Sequence, residues 1–182
     1  MRTLLNVEDL KVYFSAPGTL NDTLKFKKNY VKAVDGVSFK IHEGEVVALV
    51  GESGCGKSTI GKALVSLVKV KSGKIYYLDQ EISEQNFAKD LRKKIQYIFQ
   101  DPYSSLNPRM TVNTILSRPM QNFDLYNTRE ERQENLKRLL MEVGLSDEHR
   151  LRFPHEFSGG QKQRISIARA LAVEPELIIA DE

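Results

Sequence analysis

Along this chain the apolar positions first alternate with polar ones, then run unbroken, then recur at helical spacing. Residues 7–14 predict a short strand, and the polar stretch holding Pro17, Gly18, Asn21 and Asp22 predicts a loop. In Val37-Ser38-Phe39-Lys40-Ile41 every second residue is apolar, the pattern of a half-buried strand. Val46-Val47-Ala48-Leu49-Val50 is instead a continuous run, partly β-branched, which suits a strand buried on both faces. Glycines at 51, 54 and 56 interrupt that run, and residues 57–68 resume with Ile60, Ala63, Leu64, Leu67 and Val68 at helical spacing. Residues 75–78 and 95–99 are further strand candidates.

From Pro108 to Phe153 the pattern turns helical. Thr128 followed by Glu131 reads as a capping box that opens a helix carrying Leu136, Leu139, Leu140 and Val143, with Gly144 as its stop. A last helix over 160–173 ends before Pro175, and Leu177-Ile178-Ile179-Ala180 is an apolar strand. Strand, loop, helix and strand with a helical insertion predict an α/β fold with a mainly parallel sheet and crossover helices.

Composition narrows the class. With 182 residues, 41% apolar and 28% charged, a single domain with a sizeable core is expected. The net charge of +3 comes from interspersed charges of both signs, so nothing argues for a nucleic-acid partner. The single cysteine, Cys55, excludes an internal disulfide and a zinc cluster of several thiolates. No run approaches the ~18 apolar residues of a bilayer span, so a membrane role requires a partner.

The chemistry begins at Gly51-Glu52-Ser53-Gly54-Cys55-Gly56-Lys57-Ser58, which fits the phosphate-cradling pattern G-x-x-x-x-G-K-S between a predicted strand and a predicted helix. A triphosphate is a dense cluster of negative oxygens, best held by converging backbone N–H groups. The glycines let the backbone curl where a Cβ would clash, and the following helix aims its positive end at the phosphates. Lys57 is placed to reach the β and γ phosphates, Ser58 to ligate Mg²⁺, and Thr59 to add a hydroxyl near the α phosphate. At the far end of the chain, Asp181 and Glu182 terminate an apolar strand. A carboxylate there can hold Mg²⁺ through water, and its neighbour can polarise an attacking water as general base.

Phe157-Ser158-Gly159-Gly160-Gln161-Lys162-Gln163-Arg164 resembles the signature motif of the ABC ATPases, a Ser-Gly-Gly-Gln opening a helix. Ser158 offers a hydroxyl, and Gly159 and Gly160 offer approachable N–H groups for an anion. The resemblance implies that Ser158, Gly159, Gly160 and Gln161 face the γ phosphate held in a second subunit's cradle, in a head-to-tail dimer sandwiching two ATP molecules. Tyr97-Ile98-Phe99-Gln100-Asp101-Pro102 is similar to the family's glutamine loop, which implies contact of Gln100 with Mg²⁺ or the attacking water. The strings Phe99 to Val112 and Phe153 to Phe157 are similar to the dipeptide/oligopeptide branch, and with the cradle they look most like the second of that branch's paired ATPases.

For an aromatic ring under the adenine, Phe14 fits the family's place best, with Tyr13 and Tyr30 as alternatives. The implied fold is a P-loop NTPase nucleotide-binding domain of ABC type. Its ATP-binding core would lie over 1–107, a helical subdomain over 108–156, and the signature helix and Walker B strand over 157–182, with antiparallel strands at the N-terminus.

The implied function is ATP hydrolysis powering import of oligopeptides or dipeptides. The implied setting is the cytoplasmic face of a membrane, beside a sister ATPase, two permease subunits and, indirectly, a solute-binding protein; nickel and other small solutes are carried by the same branch. The family continues beyond the acidic pair with a further loop and a strand ending in a histidine. The chain is therefore expected to be cut short after the Walker B strand, and to turn over ATP poorly and aggregate by itself. Two other classes stand beside this one: a non-transport ABC ATPase acting on DNA or ribosomes, and an inactive truncated fragment serving as an interaction module.

Overall fold

The computed structural model describes residues 1–16 and 29–181. The predicted loop around Pro17, Gly18, Asn21 and Asp22, and Glu182, lie outside the described residues. The chain forms two compact units, Met1–Phe87 and Ala88–Glu182. The boundaries expected near 107 and 156 both fall within the second unit.

In the first unit, β1 (Thr3–Ser15) pairs antiparallel with both β2 (Tyr30–His42) and β3 (Ser72–Tyr77), and β3 turns back into β4 (Gln80–Ile82), giving the order β2-β1-β3-β4. β1 buries Leu5 and Val7, then Leu10 and Val12, so its inward parity changes between them. A bulge makes the change: Asp9 takes a positive φ of 45°, its N–H donates to Ser38 Oγ at 2.8 Å, and the pairing register shifts between Val7 and Leu10. The alternation foreseen in residues 37–41 is present, with Val37, Phe39 and Ile41 partly buried and Ser38 and Lys40 exposed.

Helix α1 (Lys57–Leu64) is shorter than the 57–68 predicted. Ser66 adopts φ 54°, and the N–H groups of Ser66 and Leu67 donate back to Ala63 O and Lys62 O, which is a Schellman closure without glycine.

One prediction is corrected. Residues 46–50 form no strand, and Val46 and Val50 are 97% and 92% exposed rather than buried. A strand exists only by hydrogen bonding along a partner, and neither sheet of the described residues supplies one here. Among the described residues the parallel part of the fold is carried by one ladder, in the second unit.

That unit contains α2 (Lys89–Lys94), β5 (Ile95–Ile98), α3 (Pro102–Ser105), α4 (Val112–Asn122), α5 (Arg129–Glu142), α6 (Gly159–Leu171) and β6 (Leu177–Ala180), with short 3₁₀ turns at Asp147–Leu151 and Pro154–Glu156. β5 and β6 pair in parallel. The predicted capping box is formed, with Thr128 Oγ1 accepting from Glu131 N and Glu131 Oε2 accepting from Thr128 N. Gly144, at φ 71°, ends α5 as expected, and Leu145 N donates to Leu140 O. Leu116, Leu136, Leu140, Phe157, Ile165 and Ala168 share one buried core, so α4 and α5 are the support against which α6 is fixed.

Candidate nucleotide site

The loop before α1 is shaped by a requirement at Gly56. This residue caps the helix at φ 101°, and a Cβ on it would lie 2.3 Å from Ala33 O in β2. Only glycine accepts both the left-handed backbone and that approach. Lys57 folds back over the loop, its Nζ donating to Gly51 O and Glu52 O at 2.8 Å each and lying 3.7 Å from Cys55 Sγ. Glu52 O also accepts from Cys55 N at 3.3 Å, closing a turn through Ser53 and Gly54. No side chain caps α1 and no acidic residue sits in its first turn, and the first helical bond runs from Ile60 N to Gly56 O at 2.9 Å. The N–H groups at the start of α1 thus carry positive potential, with no acidic residue in the helix's own first turn. Ser58 and Thr59 are partly buried in this first turn.

The candidate aromatics differ in their surroundings. Phe14 is 44% exposed, so it is not a core side chain. It pairs with Val31, two residues from the Ala33 carbonyl against which Gly56 sits, which puts it roughly 7 Å along β2 and one strand across. Tyr13 donates its hydroxyl to Asp35 at 2.5 Å, Lys32 Nζ binds the same carboxylate at 3.2 Å, and the Tyr30 ring lies 6.4 Å from the Tyr13 ring. Tyr13 is therefore tied into a surface network, while Phe14 presents a ring to solvent.

In the second unit, β5 and β6 bring Gln100 and Asp181 to the same end of one parallel ladder. Ile98 pairs with Ala180, Gln100 follows β5, and Asp181 N donates to Ile98 O at 3.0 Å. Sequence reasoning missed Tyr97, whose hydroxyl donates to Asp181 Oδ2 at 2.7 Å. Burial, and after it the accepting carboxylate, push this hydroxyl well above the ordinary tyrosine range, so it remains a donor. Strand parity contained the signal: Tyr97 lies opposite Ile179, and Asp181 is the next residue on the same face of β6.

The start of α6 is capped reciprocally. Ser158 Oγ accepts from Gln161 N at 3.3 Å and Ser158 N donates to Gln161 Oε1 at 3.0 Å. Phe157 before it is buried, Arg164 donates to Val143 O at 2.9 Å, and Lys162 Nζ lies 4.0 Å from the centre of the Tyr103 ring. A Cβ on Gly160 would meet nothing within 4 Å, and one on Gly159 only the Tyr103 hydroxyl at 3.4 Å. Neither Lys162 nor Tyr103 was legible as a partner from sequence, because the segments after Gln100 and after Ser158 meet only through the packing of α3 on α6.

Compared with known proteins, residues 34–182 match the ABC transporter family. The chain belongs to that family. Among curated relatives of this ABC chain it is 49% identical to the oligopeptide transport ATP-binding protein AppF of Bacillus subtilis over 99% of its own length and 54% of the relative's. It is 47% identical to OppF of the same organism, covering 98% of the chain and 56% of the relative, and 45% identical to OppF of Escherichia coli, covering 100% and 54%. The chain thus spans about half the length of these ABC relatives. Among solved structures it is similar to the dimeric ATP-binding cassette MJ0796 in a post-hydrolysis state bound to ADP and phosphate, with TM-score 0.83, 27% identity, and coverage of 97% of this chain and 73% of that one. It is also similar to cbiO1 of Clostridium perfringens, with TM-score 0.74 and 27% identity over 100% of this chain and 66% of that one.

The start of α1 fits the phosphates of a magnesium nucleotide. The Gly56 cradle excludes a Cβ, the cap of α1 makes no side-chain hydrogen bond, and Ser58 in its first turn carries a hydroxyl of the hard-oxygen type that Mg²⁺ takes. Among the described residues no cluster of three or more His, Cys, Asp or Glu could hold a metal alone. Among the described residues no helix is long and apolar enough to cross a membrane.

Proposed function

We propose that this chain binds and hydrolyses ATP as the nucleotide-binding part of an oligopeptide importer. The observation that carries the reading is the start of α1, where an obligatory glycine, an uncapped helix end and a folded-back lysine form a seat for phosphate oxygens. The cargo class is supported by the oligopeptide transport relatives, at 45–49% identity.

Residues Gly51 to Thr59 hold the phosphates, and Lys57 exchanges its loop carbonyls for β and γ oxygens. Phe14 stacks on the adenine. Ser58, Gln100 and Asp181 are the residues that would hold Mg²⁺, which would supply neutralisation of charge on the phosphate oxygens. Glu182 takes a proton from the attacking water. Ser158, Gly159, Gly160 and Gln161 close over the nucleotide of a second cassette, either a sister ATPase or another copy of this chain. Two permease subunits receive the motion at the cytoplasmic face of the membrane, and a solute-binding protein supplies them from the other side.

The test is uptake of a labelled oligopeptide by vesicles holding the full-length protein with its partner subunits. Uptake should require ATP and cease with Lys57→Ala. Peptide uptake that persists in that variant at the unsubstituted rate would overturn the proposal.

A further inference from the structure

We propose that Tyr97 is a positioning residue for Asp181, fixing the direction in which the Asp181 carboxylate presents its lone pairs to the nucleotide's magnesium. The inference rests on the ATPase reading above and deepens it.

The parallel register places Tyr97 opposite Ile179, so Ile95, Tyr97, Leu177, Ile179 and Asp181 lie on one face of the ladder. Asp181 is the diagonal neighbour of Tyr97, at a spacing that a long aromatic side chain spans and a shorter one does not. The hydroxyl completes the reach, at 2.7 Å from Asp181 Oδ2. Two constraints then act on the same aspartate. Its main chain is held by the bond from Asp181 N to Ile98 O at 3.0 Å, and its carboxylate by the tyrosine.

Tyr97 is itself held. It is buried, and its ring meets Phe99 edge-on at 4.8 Å between centroids. A carboxylate just past the end of a strand otherwise rotates about its side-chain bonds, and it loses that freedom each time a metal binds. A buried donor removes the rotation in advance, as partners of ligating groups do at metal sites. Phenylalanine at 97 keeps the ring and removes only the hydroxyl that bonds Asp181.

The experiment uses the full-length protein in its assembled transporter, with binding of a fluorescent ATP analogue titrated in EDTA and at rising Mg²⁺. Tyr97→Phe should leave affinity in EDTA nearly unchanged, lower the unfolding temperature by only a few degrees, and raise the Mg²⁺ concentration for half-maximal binding by about tenfold. In an Asp181→Asn background the same substitution should add no further shift. An unchanged Mg²⁺ curve in folded Tyr97→Phe, or an equal shift in the Asp181→Asn background, would overturn the role of Tyr97. Failure of the unsubstituted protein to bind the analogue under any condition would instead strike the ATPase reading beneath it.

Discussion

The two glycine-bearing helix starts of this chain solve the same problem in opposite ways. At α1 the cap is Gly56, held left-handed against Ala33, and it makes no side-chain cap bond. At α6 the cap is Ser158, whose hydroxyl and N–H are both engaged with Gln161. The first start is uncapped by any side chain; the second carries a reciprocal side-chain cap. Glycine is also required for different reasons. At 56 the chain's own backbone forbids a Cβ, whereas at 160 a Cβ would touch nothing within 4 Å. The fold explains the first glycine; for the second it gives no reason, and on the proposed function a nucleotide approaching from outside supplies one.

The largest effect should come from emptying the α1 seat. Lys57→Ala removes the cation that now spans Gly51 O and Glu52 O, and ATP affinity and turnover should each fall by a factor on the order of a hundred or more, from loss of charge-assisted bonds to phosphate. Isothermal titration with Mg-ATP checks this, and affinity within threefold of the parent would break the comparison at its root. Next comes the contrast between glycines. Gly56→Ala meets Ala33 O at φ 101° and should cost about 2–4 kcal/mol of stability. Gly160→Ala should instead gain about 0.5–1 kcal/mol from helix propensity while turnover falls. Denaturant melts alongside turnover separate the two, and a Gly160→Ala variant of full activity would remove the case for an approaching ligand.

How legible this contrast was depends on whether its cause lay near in sequence. Thr128 with Glu131, Ser158 with Gln161 and the stop at Gly144 act within a few residues, and each forms as its local chemistry requires. The stops of α1 and α4 use the same closure but place Ser66 and Asp124 at the left-handed position, where only glycine would have announced it. The failure at residues 46–50 is of another kind. Hydropathy registers how apolar a segment is, but strand formation depends on a ladder partner that no local pattern encodes. The cradle glycines, Lys57, Gln100, Asp181 and Ser158 were all visible as residues. The links from Tyr97 to Asp181 and from Tyr103 to Lys162 join segments well apart in sequence and needed the register and the helix packing.

The smallest effect is the one that best separates a cap from a contact. Thr128 and Ser158 carry the same reciprocal box, Thr128 with Glu131 at the start of α5 and Ser158 with Gln161 at the start of α6. Alanine at either position removes one hydroxyl acceptor from a helix end and should cost about 1 kcal/mol of stability. If Ser158 did no more than cap, the two variants would match in every measurement. On the proposed function its hydroxyl also bonds to phosphate oxygen across the dimer, so Ser158→Ala alone should lose about tenfold in turnover, the equivalent of ~1.4 kcal/mol. Equal melting temperatures with unequal turnover, measured in the assembled transporter, would assign Ser158 both roles. Equal turnover would reduce the start of α6 to a well-made helix end.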